Sequence, residues 1–168
     1  MDTGNPPTMS ERETLLEELR HAHHGDPWHG PSRSSVLADV TVEEAARHPG
    51  GDAHGIWELV LHMRAWTLEV ARRLGGAPAR MPPEGDWPPV PTPSADAWSA
   101  ARLSLDEAHE AVAAALRALP PERLAETVGT DRDAPLGAGV TYAAMLHGLA
   151  QHDAYHTGQI AILKRIYR

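Results

Sequence analysis

The sequence predicts an all-α fold, an antiparallel four-helix bundle with long loop connections, on three observations. Strand signals are scarce: phenylalanine is absent and β-branched alternation hardly occurs, while alanine, leucine, glutamate and arginine dominate. Apolar residues recur at steps of three and four over long stretches, the period of a helix with one buried face. Four such stretches are separated by Gly- and Pro-rich connections of unequal length, the pattern of long helices packed side by side. At 168 residues the chain suits one domain, expected over residues 10–168, with residues 1–9, rich in Gly and Pro, as a disordered tail.

The elements follow in order. Ser10 and Glu13 form a capping box, and Leu15, Leu16 and Leu19 mark the buried side of a first helix that ends near His24, before Gly25. Histidines at a helix C-terminus suit the macrodipole, so His21, His23 and His24 are expected on the surface. The loop GDPWHGPS carries Trp28 and His29 side by side. The plainer expectation is a tryptophan plugging one end of the core; the functional one is a loop over a pocket mouth with His29 reaching in. A short helix near 34–40 and a capping-box turn from Thr41 to Glu44 follow, closed at His48-Pro49-Gly50-Gly51. A second long helix spans about His54 to Leu74, with Ile56, Leu59, Val60, Met63, Val70 and Leu74 as its stripe. The stretch from Gly75 to Pro93 holds seven prolines and no periodicity, so it reads as a long connection of the lid or interface kind. A third helix runs from after Ser94 to about Leu119, a short turn lies near Glu122–Leu124, and Thr141 is the N-cap expected for the last helix.

Bulk properties exclude several functions. A formal charge of −8 and a pI near 5.7 give no electrostatic support for nucleic-acid binding. No apolar run approaches the roughly eighteen residues of a transmembrane helix, and residues 1–13 lack the apolar core of a secretory leader. The absence of cysteine removes disulfides, thiolate metal sites and a protein thiol nucleophile, and it fits a cytoplasmic setting.

The chemistry concentrates on the last helix. Met145, Leu149, His152, His156, Ile160 and Leu163 share one face. A helix buries that face, yet its centre is two imidazoles about 40° apart and one turn from each other. Buried rings need partners. They are either core histidines satisfied by a carbonyl or hydroxyl, or half of a metal site. His62, on the edge of the second long helix's stripe, is the third ligand the spacing favours, because facing helices of a bundle commonly build such sites. Three imidazole nitrogens leave positions open for water or substrate, and they suit zinc, nickel, iron or copper. Gln159 lies on the side of His152, whereas His147 projects about 140° away.

The segment His54-Gly-Ile-Trp-Glu-Leu-Val-Leu-His62-Met-Arg-Ala-Trp66, with His152-Asp-Ala-Tyr-His156-Thr-Gly-Gln159-Ile160, resembles the DinB-like superfamily. That superfamily includes proteins labelled damage-inducible and others described as metal-dependent hydrolases. The similarity reaches back to Glu11 and takes in the Trp28-His29-Gly30 loop. It implies a four-helix bundle, often a homodimer, whose divalent ion is held by His62, His152 and His156. Zinc or nickel comes first as the cofactor, with iron or manganese also compatible.

The expected function is a metal-dependent enzyme acting on a small molecule, either a low-molecular-weight thiol S-transferase or a hydrolase. In the transferase case the metal binds an external thiol and lowers its pKa, which supplies the thiolate that this cysteine-free chain lacks. Glu58, His54 and His29 are the candidate acid–base groups. The alternative is a stress-related metal- or small-ligand-binding protein without turnover.

Overall fold

The structure, a computed structural model, describes residues 9–168; apart from Met9, the expected tail lies outside the described residues. Six α-helices follow in chain order: α1 (Glu11–His24), α2 (Arg33–Leu37), α3 (Val42–Ala46), α4 (Ile56–Leu74), α5 (Ala95–Ala118) and α6 (Tyr142–Tyr167). A 3-10 helix, Pro121–Ala125, lies between the last two. Among the described residues there is no strand; isolated bridges Thr127–Thr141 and Asp133–Ala138 tie down the loop before α6. No described helix is long and apolar enough to cross a membrane.

The starts are fixed by local chemistry. Ser10 and Glu13 exchange side-chain and backbone bonds at the start of α1, and Thr41 and Glu44 repeat the device at α3. Ser94 and Thr141 accept backbone N–H groups from Ala97 and Ala144 at the starts of α5 and α6. Helix α4 starts two residues later than the spacing predicts, because Glu58 accepts the Gly55 N–H at 2.7 Å and fixes the first turn there.

Helix α4 is the most thoroughly buried: Ile56, Trp57, Leu59, Val60, Leu61 and Met63 are all inside. A helix apolar around most of its girth belongs in the interior, and α4 packs against both α5 and α6. Trp57 at its start meets Trp98 near the start of α5, ring centroids 5.2 Å apart. Its last residues, Val70 and Leu74, share a buried cluster with Leu116 and Leu119 at the far end of α5. The two helices therefore run in the same direction. Helix α6 opposes α4: its late residues Ile160 and Leu163 lie with Ile56 and Trp57, and its early Met145 and Leu146 lie with Val70 and Leu74. Helix α1 opposes α5, with Arg12 donating to the Leu119 carbonyl at 3.2 Å and His23 reaching Asp106 at 2.8 Å.

The expected antiparallel order thus holds for α4 against α6 and α1 against α5, and is corrected for α4 against α5. The cause is the Pro-rich connection, which carries the chain back along α4. Arg80 donates its N–H to Glu69 Oε1 at 3.1 Å, Glu84 pairs with Arg64, and Asp86 and Trp87 reach His62. Its prolines lack amide donors and resist coiling, so the segment lies as a strap that begins α5 at the end where α4 began.

Between the two apolar clusters the long helices carry a layer of buried polar groups. Arg33 of α2 donates from Nη1 to both carboxylate oxygens of Asp153, at 2.9 and 2.7 Å. Asp106 accepts from His23, whose ring lies 4.2 Å from that of His109. His23 is therefore buried, not a surface residue: α1 packs its last turn on α5, and that contact overrides the preference of its own helix end. Trp28 also departs from expectation. A turn closed by Gly30 N–H to the Pro27 carbonyl puts Trp28 and His29 at its tip, and Trp28 is fully exposed.

Candidate metal centre

Helix α6 places His152 and His156 one turn apart, and α4 brings His62 to them from the facing side. The three side chains meet through their Nε2 atoms: His62 to His152 at 2.9 Å and His156 to His152 at 3.1 Å. These ligand atoms form a group that could hold a metal ion. His62 and His156 are buried, and His152 is half-buried.

Hydrogen bonds behind the rings fix two tautomers. His62 Nδ1 lies 2.7 Å from the backbone carbonyl of Asp86, an acceptor only, so Nδ1 carries the proton and Nε2 a lone pair. His156 Nδ1 lies 2.7 Å from Gln159 Oε1 and is assigned the same way. Burial is the first cause that lowers the pKa of both rings. Burial, then the neighbouring His156 and His62, push His152 down to about 3. All three rings are therefore neutral near pH 7, as nitrogen ligands must be. A proton on His152 Nε2 can satisfy one neighbour, and the other contact then sets lone pair against lone pair. A divalent cation at the shared focus satisfies all three. Zinc–nitrogen bonds of about 2.0–2.1 Å imply nitrogen–nitrogen edges of roughly 2.9–3.4 Å, which the two short contacts approach. His152 Nδ1 is buried without a hydrogen-bond partner, so the ring's position depends on packing and on what its Nε2 meets.

The strap holds His62 from outside. The Asp86 carboxylate accepts the Trp66 indole N–H at 2.6 Å and sits 3.3 Å from His62 Nδ1. Trp87 stacks on His62, with centroids 4.0 Å apart, and on His54, with centroids 3.4 Å apart. In the sequence Asp86 has no visible role, and Trp87 reads only as a tryptophan that needs burial. Both lie in a stretch without periodicity, and the only signal was a tryptophan and a carboxylate among prolines.

The other candidate residues scatter. Glu58 caps α4 through Gly55, and its carboxylate lies 3.8 Å from His54 Nδ1. His54 stacks on Trp87, and it lines a cleft of about 480 Å³ with His156 and Gln159. His29 is exposed and lines a different cleft with Glu18, His21 and Gln151. His147 turns away from the cluster and bonds Glu18 at 2.7 Å. On the side of His62 and His152 a second cleft of about 420 Å³ opens between α4, α6 and the loop before α6.

A family model described as DinB superfamily matches residues 33–160, a span that contains all three histidines. No curated protein and no solved structure matches the chain.

Proposed function

The chain belongs to the DinB superfamily, and on that premise we propose that it is a divalent-metal-dependent enzyme with His62, His152 and His156 as the ligands. The observation that carries the reading is the convergence of three Nε2 atoms from rings whose outer nitrogens, in His62 and His156, are already committed. The four long helices are read as the bundle of that family, within one domain over residues 10–168. Zinc and nickel suit an all-nitrogen set best.

When bound, the ion lowers the pKa of a thiol or a water and supplies the nucleophile that a cysteine-free chain lacks. The reaction class is S-transfer from a low-molecular-weight thiol, or hydrolysis. The Asp86 carbonyl and Gln159 orient the ligand rings. His54, with Glu58 behind it, is the acid–base pair of this reading, because it lines the cleft that reaches His156. His29 has no part in it. Glu58's bond to Gly55 favours a second reading, a metal- or small-ligand-binding protein without turnover.

Elemental mass spectrometry on untagged protein tests the metal site. About one ion per chain is expected in the wild type and little in His62→Ala. Wild-type protein that takes up no zinc or nickel on reconstitution would leave three core histidines and no enzyme. Turnover of a thiol with an electrophile by the loaded protein then separates enzyme from binder. The same reading includes a homodimer, supported by Tyr155, Ile162 and Ile166, exposed on one face of α6. A monomer mass by light scattering at high concentration would remove that part.

A further inference from the structure

The cleft beside His62 and His152 has mostly apolar walls. Trp66, Val70, Leu136, Val140, Met145 and Leu149 supply them. Arg73 is the cation in this wall, and its nitrogens are engaged: Nε donates to Glu69 at 2.9 Å, Nη1 to the Leu136 carbonyl at 2.8 Å and Nη2 to the Arg80 carbonyl at 3.1 Å. Glu69, fully buried beside it, pairs with Arg73 through Oε1 and with the part-exposed Arg72 through Oε2. The Asp86 carboxylate at the same cleft accepts from Trp66 and opposes a second anion. An anionic group lodged here would lose water beside the Asp86 carboxylate, and the guanidinium it could meet already donates from all three nitrogens.

A glycine lines the α6 side of the cleft. Gly148 stands in α6, one turn before His152, and a Cβ added there would meet nothing within 4 Å. A glycine inside a helix is destabilising against alanine. Here the missing side chain leaves open space along the α6 side of the cleft.

We propose that this cleft holds the uncharged, apolar body of the substrate, with its reacting group toward His62 and His152 and with Gly148 fixing the size admitted. The direction of the reacting group rests on the metal-enzyme reading; the apolar seat does not.

The test is fluorescence titration of the full chain, metal-free and zinc-loaded, with N-phenyl-1-naphthylamine and with its sulfonated analogue 8-anilino-1-naphthalenesulfonate. The uncharged probe is expected to bind in both states, and the sulfonate about tenfold or more weaker in the metal-free chain. Gly148→Leu should weaken the uncharged probe by about tenfold while raising helix propensity, and Gly148→Ala by less. Equal affinity for the sulfonate in the metal-free chain, or no effect of Gly148→Leu, would overturn the proposal. A chain that takes up no zinc yet binds the probe in this Gly148-dependent way supports the seat and defeats only the metal reading. A chain that takes up zinc but lacks that binding defeats the seat alone.

Discussion

The indole of Trp87 lies flat on the imidazole of His62, ring centroids 4.0 Å apart and planes 12° from parallel. His54 stacks on the same indole with planes 10° from parallel, so Trp87 is held between two imidazoles. The strap thereby fixes the plane of His62, while the Asp86 carbonyl fixes its tautomer. Partners that orient a ligand ring commonly change metal affinity by about 10–100-fold. Trp87→Ala should therefore weaken zinc binding by about tenfold in competition with a chromophoric chelator, with helix content by circular dichroism unchanged. Equal zinc affinities would show that the α4 backbone alone sets His62.

The histidines were legible in the sequence because local periodicity places them. His152 and His156 are one turn apart on a single helix, and His62 rides the edge of a stripe whose other members are buried as their spacing implies. What was not legible depends on contacts remote in sequence. The strap has no period to read, so nothing in it announced that Asp86 would reach Trp66 and His62. The parallel run of α4 and α5 follows from the path of that strap. His23 was misplaced because the preferences of its own helix end say nothing of α5, which supplies Asp106 and His109. Trp28 was misplaced because hydropathy cannot tell a turn tip from a plug.

The ion pair between Arg33 and Asp153 anchors α2 to the back of the helix that presents His152 and His156. Both side chains are almost completely buried. Removing Asp153 leaves Arg33 only the half-exposed Asp106, 3.6 Å from its Nη2, and an interior charge so poorly compensated costs about 3–5 kcal/mol. Asp153→Ala should lose about that much in equilibrium urea unfolding. The double variant Arg33→Met with Asp153→Leu should recover most of it, because two well-packed apolar groups carry no unpaired charge. A double variant as unstable as the single one would mean that geometry, not charge burial, is what the pair contributes.

His109 makes a pH dependence separable from the metal centre. It is buried on α5 and faces His23 and His24 of α1, Arg33 of α2 and Asp106 of its own helix. Burial, then the charges of His23, Arg33 and His24, push its pKa from 6.5 down to about 3, against a smaller opposing pull from Asp106. Between those two values the unfolded chain binds a proton that the folded chain does not. Stability therefore rises with pH across that window, is fully present above about 6.5, and is lost as pH falls toward 3. At about 1.36 kcal/mol per unit of pH, going from pH 7.5 to pH 5.0 should remove about 2 kcal/mol through this residue. His109→Leu takes that proton out of the linkage, while the histidines of α4 and α6 titrate as before. Urea unfolding at both pH values should then show the wild type losing about 2 kcal/mol more than the variant. Equal losses would mean that the pocket around His109 opens to admit the proton in the folded state.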